Sequence, residues 1–116
     1  MNRVAAEGRG RGGETIAAWW LRLHGWRILD RRRRSHVGEI DLIARRGRTL
    51  CFVEVKTRAS DREADLAIDH ARLRRVAAAA EALAPRYARA GDDIRIDVII
   101  IVPGRWPRHL VNVWHG

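Results

Sequence analysis

Cysteine, methionine, phenylalanine and tyrosine occur once each in the 116-residue chain. A lone Cys51 excludes an intrachain disulfide and a Cys-rich zinc site, and it fits a reducing compartment. Long apolar runs are missing too. The stretch from Ile16 to Leu23 is interrupted by Arg22 and is too short for a bilayer span. The Gly- and Arg-rich start, Met1 to Gly13, has no signal-peptide pattern, and the five His residues lack zinc-type spacing. A soluble, cytoplasmic protein with no membrane partner is expected. Lysine is the most informative scarcity, because Lys and Arg together number 23 and all but Lys56 are Arg.

What is present is positive charge. A formal net charge of +9 makes a field attractive to polyanions, so nucleic acid is the first partner to consider. A genome-wide bias toward Arg would give the same charge, and only local pattern separates the two. Lys56 supplies one such pattern, standing in a Glu-x-Lys strand motif. An ammonium is a compact point charge whose pKa shifts with its surroundings, whereas guanidinium is a broad, permanently charged fork.

The length suits one domain with one core. Residues 1–12 have little to bury and read as a mobile basic arm, with one domain over residues 13–116. Glu14 to His24 suits a helix closed by a left-handed Gly25. Trp19 and Trp20 share helical spacing with Ile16 and Leu23 and are expected in the core. Trp26 to Arg33 reads as a strand. Val37 to Arg45 and Thr49 to Thr57 read as a hairpin around Gly47. From about Asp65 to Arg89 apolar residues at three-four spacing, Leu66 and Leu73 among them, predict one helix, with Ser60 and Glu63 as a capping box before it. Ile94 to Val102 suits a strand covered on both faces, and Leu110 to Trp114 an edge strand. The order α-β-β-β-α-β-β predicts an α/β fold, a central mixed sheet flanked by helices.

With Gly47 and Arg48 as the central turn residues, paired residue numbers on the hairpin sum to 95. One face then pairs Ile40 with Val55, Leu42 with Val53 and Ala44 with Cys51, and belongs in the core. The other pairs Ile43 with Phe52, Asp41 with Glu54, and Glu39 with Lys56. Opposed carboxylates about 5 Å apart repel, so Asp41 and Glu54 need a cation between them. Lys56 supplies part, and a divalent ion held by both supplies more. Oxygen ligands of this kind favour Mg2+ or Mn2+ over zinc. The bland alternative is an exposed face on which Glu39 pairs with Lys56.

The segments GEIDLIA at 38–44 and FVEVKTR at 52–58 together resemble the YraN family of small bacterial proteins. That family is similar to archaeal Holliday-junction resolvases and to the restriction-endonuclease-like PD-(D/E)xK superfamily. The resemblance covers Glu14 to the C-terminus. It implies a Mg2+- or Mn2+-dependent endonuclease in which Asp41, Glu54 and the Val55 carbonyl hold the metal and Lys56 lies beside the scissile phosphate. DNA, branched DNA included, becomes the expected substrate, and a homodimer would suit a two-stranded cut. Glu14 matches a first-helix glutamate of the resolvases, though a first-turn Glu also serves the helix dipole. Glu39 either orients Lys56 or forms a surface ion pair. Arg31, Arg32, Arg33 and Arg34 lead into the hairpin, and with Arg58 and Arg72 they are the expected nucleic-acid contacts. The arginine run replaces an aromatic-rich stretch of the relatives, and His70-Ala71-Arg72 replaces their Pro-x-Lys.

Overall fold

In the computed structural model, backbone is described for residues 3–115 and side chains for residues 12–115. The elements are α1 (Arg3–Leu23), β1 (Arg27–Ser35), β2 (Gly38–Arg46), β3 (Thr49–Thr57), α2 (Asp61–Asp65), α3 (His70–Tyr87), β4 (Asp93–Ile101) and β5 (Arg108–Leu110). The strands form one five-stranded mixed sheet in the order β1-β2-β3-β4-β5. Only β3 and β4 run parallel, with α2 and α3 in the crossover between them. The predicted α/β architecture is therefore the observed one, with helices on both faces of the sheet.

Helix α1 begins at Arg3, well before the expected start at Glu14. The arm predicted over residues 1–12 falls partly on this helical backbone. Met1 and Asn2, and the side chains up to residue 11, lie outside the described residues. At its other end α1 stops as the sequence predicts. Gly25 has φ +85°, Gly25 N–H donates to Arg22 O at 3.1 Å and Trp26 N–H to Leu21 O at 2.9 Å. These two bonds are a Schellman closure, and Trp26 packs with Leu21 in one apolar cluster, as such closures favour.

Glu14, Ala17, Ala18 and Leu21 form the buried stripe of α1. The small alanines and Gly13 let the helix approach closely, and a Cβ at position 13 would collide with Thr57 Oγ1. That stripe leaves no room at the sheet for Trp19, which is 58% exposed, contrary to its expected place in the core. Trp20 is half-buried against the α1-side cluster.

The hairpin register is the predicted one, from Arg46↔Thr49 through Ala44↔Cys51 to Leu42↔Val53. Leu42, Ala44, Cys51 and Val53 pack beneath α1, whereas Ile43, Leu50 and Phe52 pack beneath α3. Each large apolar side chain so buried stabilises the fold by about 1.5–3 kcal/mol. Ile40 departs from the expected alternation and joins Ile43 on the α3 side. The ladders account for this. Arg31↔Leu42 and Arg33↔Ile40 pair across β1 and β2, but Arg32 and Asp41 between them do not, and Arg32 has φ +49°. On the other side the β2–β3 pairing ends at Leu42↔Val53, one position short of Asp41 and Glu54. Asp41 thus stands where both neighbouring ladders are interrupted.

The long helix expected from Asp65 to Arg89 is divided. Ser60 does cap a helix, its side chain accepting from Glu63 N–H at 3.2 Å, but that helix is the short α2. Asp69 then captures Ala71 N–H at 2.9 Å and starts α3 afresh. Leu66, expected on the buried stripe, falls at the break and is exposed. The last strand is also shorter and earlier than Leu110–Trp114, since β5 covers only Arg108–Leu110.

A buried carboxylate holds that edge. Asp97 on β4 accepts from Arg95 Nε and Nη2 at 2.9 Å each and from Asn112 N–H at 2.9 Å, and it lies 2.7 Å from His109 Nε2. Burial alone would raise its pKa, but the bonds from His109, Arg95 and Asn112 outweigh burial and hold it well below the usual carboxylate range. Stability from these bonds is therefore full above the ordinary carboxylate pKa near 4 and is lost as pH falls toward the depressed value. Asp97→Ala is expected to cost roughly 3 kcal/mol at neutral pH, because it leaves Arg95 without its buried counter-ion. Urea unfolding measures this, and an unchanged midpoint would remove Asp97 as the anchor.

Candidate functional site

The ladder interruption frees side-chain and main-chain groups at one place. Val55 N–H, on β3, donates to Asp41 Oδ2 at 2.8 Å, so the Asp41 side chain takes a main-chain donor of the neighbouring strand. Glu54 is 5% exposed. Its Oε1 accepts from Arg72 Nε at 2.6 Å and lies 3.6 Å from Lys56 Nζ, while its Oε2 is buried with no hydrogen-bond partner. Beside them a cleft of about 350 Å³ is lined by Val37, Gly38, Glu39, Asp41, Glu54, Arg72, Arg75 and Val76.

Charge is unevenly satisfied there. Burial first, and then the nearby carboxylates Glu14, Glu54 and Glu39, push Asp41 up to about 6 against the pull of the Val55 N–H. The Lys56 side chain is almost wholly buried, and burial lowers its pKa, opposed by Glu54. Lys56 is thus a desolvated amine beside Glu54, not part of the cleft wall. Cys51 takes no part, since burial pushes its thiol far up.

The predicted site residues come together only in part. Asp41, Glu54 and Lys56 are neighbours, with the Val55 backbone between them. Glu14 is buried at the start of the visible stripe of α1, but its Oε2 is held by Arg32 Nε at 2.5 Å. Glu39 does not reach Lys56. It pairs with the exposed Arg34 at 3.3 Å. Among the described residues no three His, Cys, Asp or Glu side chains group as metal ligands. The residues expected to hold a cation, Asp41, Glu54 through its orphaned Oε2 and Val55 through its carbonyl, are neighbours at the ladder break.

The expected nucleic-acid contacts are mostly engaged within the protein. The positive φ at Arg32 breaks strand alternation, so Arg31 and Arg32 both reach α1, Arg31 donating to Thr15 at 3.2 Å and Arg32 to Glu14. Arg33 lies 3.9 Å from Asp30. Arg58 donates to Thr57 O at 2.8 Å. Arg72, with 62% of its side chain exposed, spans Glu54 and solvent. Arg75 and Val37 line the cleft without having been singled out in the sequence. Arg75 was within reach of such reasoning, since it follows Arg72 by three on one helix and shares its face.

A mixed sheet between helices, with a carboxylate pair and a buried lysine at a break in its central hairpin, defines an α/β protein with a polar, charged cleft. The chain belongs to uncharacterised protein family UPF0102, which it matches over residues 13–101. It is 67% identical to a UPF0102 protein of Sphingopyxis alaskensis over 114 residues, 98% of each chain. It is 64% identical to one of Rhizorhabdus wittichii, over 100% of this chain and 99% of that one. A UPF0102 protein of Erythrobacter litoralis is 56% identical over 98% of each. No helix among the described residues is long and apolar enough to cross a membrane.

Proposed function

We propose that this protein is a metal-dependent endonuclease that hydrolyses nucleic-acid phosphodiester bonds, DNA being the preferred substrate. The observation that carries the reading is the buried, unpartnered Glu54 Oε2 beside Asp41, with the sole lysine of the chain 3.6 Å from Glu54 Oε1. An unsatisfied buried carboxylate oxygen is costly unless a ligand completes it. Two hard carboxylates and a main-chain carbonyl suit Mg2+ or Mn2+.

A cation bound there supplies Lewis-acid charge at the phosphoryl oxygens. The chain's own residues do the rest. Val55 N–H fixes the Asp41 carboxylate, and Lys56 presents a desolvated positive charge where charge develops on the phosphate. Arg72 and Arg75 on the cleft wall meet the incoming phosphates, and Arg72 leaves Glu54 as the substrate arrives. The lone, buried Cys51 fits a reducing cytoplasm.

The test incubates purified protein with labelled duplex, single-stranded and four-way-junction DNA and with RNA, in Mg2+, Mn2+ or EDTA, beside Glu54→Gln. Products in Mg2+ or Mn2+ only, reduced at least about 100-fold in the variant, are expected. Cleavage in EDTA, or undiminished in Glu54→Gln, would sink the reading. A second reading is a noncatalytic nucleic-acid-binding protein with a nuclease-like fold. It draws on the Arg32–Glu14 and Arg72–Glu54 pairs, which already neutralise the carboxylates. Under it, salt-sensitive binding survives Asp41→Ala and Glu54→Ala, and no metal yields product.

A further inference from the structure

Among the described residues, the outer face of α1 is apolar and aromatic. Ile16, Trp19 and Leu23 follow three-four spacing and are all exposed. Trp106, in the loop after β4, is 82% exposed and stands 6.3 Å from Trp20, on the other flank of the same helix. Exposing this much indole on a small protein costs solvation unless the face has an occupant. Arg22 lies 5.2 Å over the Trp19 ring, which keeps a cation beside the indole. No Asp or Glu occurs from Thr15 to Leu29 or anywhere after Asp97. Arg22 and Arg27 thus bring positive charge to this part of the chain, whereas Arg105, next to Trp106, is paired with Asp61 at 3.2 Å.

That charge selects the occupant. A second copy of a +9 chain would set Arg22 and Arg27 against their own like, whereas an anionic polymer with flat apolar groups satisfies both charge and indole. Duplex DNA keeps its bases stacked inside and offers this face only phosphate. Unpaired bases stack on aromatic rings without regard to sequence, with their phosphates near Arg. Two arginines bound within the protein also lie near the face. Arg31 on edge strand β1 reaches Thr15 at the start of the exposed ridge, and Arg32 beside it reaches Glu14.

From this we infer that Trp19 and Trp106 form a stacking platform for unpaired bases of a single strand, apart from the cleft that holds Asp41 and Glu54. The platform extends the proposed function by naming the form of nucleic acid held, and it rests on nucleic acid being the ligand. It does not rest on catalysis. A strand stacked on α1 would run over the β1 edge into the cleft, so a substrate with a single-stranded arm would be favoured over blunt duplex.

The test measures binding in EDTA, where no cleavage complicates it, by fluorescence anisotropy of labelled dT20, of an abasic 20-mer and of blunt duplex. Trp19→Ala and Trp106→Ala are each expected to weaken dT20 binding roughly ten-fold, with abasic and duplex binding unchanged. Trp19→Tyr should retain most of the affinity, and quenching of the indole emission by dT20 should fall in both alanine variants. Both positions are exposed, and unchanged thermal unfolding would show that the fold is intact. Equal dT20 affinity in wild type and alanine variants would overturn the platform while leaving nucleic-acid binding standing. No binding of any of these ligands at low salt would remove both. A wild-type dimer by light scattering that Trp19→Ala converts to monomer, with dT20 affinity unmoved, would assign the face to a second copy instead.

Discussion

Lys56→Ala is expected to lower metal-dependent cleavage by roughly 10²–10³-fold while nucleic-acid affinity stays near wild type. The reason is its position. The side chain is buried 3.6 Å from Glu54 Oε1, off the cleft wall, so in the proposed reaction it would contribute little to holding substrate and much to the charge balance at the reacting phosphate. A low-dielectric setting strengthens that charge. Lys56→Arg makes the sharper comparison. Arginine keeps the charge, but its wide fork has no room in a nearly closed site and cannot imitate a point charge. The conservative variant should therefore remain at least about 100-fold impaired. Full activity of Lys56→Arg in single-turnover assays would reduce Lys56 to one basic residue among many.

Asp41→Asn is expected to abolish cleavage and yet stabilise the metal-free protein at pH 7 by on the order of 1–2 kcal/mol. Burial and the neighbouring carboxylates push Asp41 up to about 6 in the folded protein, above the ordinary value near 4. Ionising it in the fold is therefore costly. The cost is absent below the unfolded pKa, grows as pH rises, and is complete above about 6. Asparagine avoids the charge and still offers an oxygen to Val55 N–H. The advantage of the variant should shrink as pH falls from 6 to below about 4. Mg2+ should raise the melting temperature of wild type more than that of the variant, since only wild type presents both carboxylates. A variant less stable than wild type at pH 7 would mean that Asp41 is a structural anchor rather than a strained ligand.

Both predictions concern residues whose identity was legible in the chain. A two-residue loop at Gly47 and Arg48 fixes the register as far as Leu42 and Val53, and register fixes which side chains share a face, so Asp41 and Glu54 could be expected side by side from the chain alone. The Gly25 stop was equally local. The split at Asp69 carries a local signal as well, an Asx cap inside an otherwise periodic run, but the continuing apolar spacing masked it. Periodicity reports which face is apolar, not whether the backbone is continuous.

The remaining differences are not local. Trp19 and Leu21 have the same helical propensities in their favour, and only the approach of α1 to the sheet through Gly13, Ala17 and Ala18 puts Leu21 inside and Trp19 outside. Likewise an arginine in a run of four has no preferred partner until the chain folds. Arg32 found Glu14 on α1 because its positive φ turns it there, and Arg72 found Glu54 because α3 lies over β3.

The sequence by itself determined the order of the strands, the hairpin register as far as Leu42 and Val53, and the expectation that Asp41 and Glu54 lie side by side, because each follows from spacing along a few residues. Tertiary structure decided which charges neutralise those carboxylates, how deeply Lys56 is buried, and which face of α1 is left bare. Those outcomes depend on which surfaces pack against each other and how much water is excluded, and no short stretch of chain encodes them.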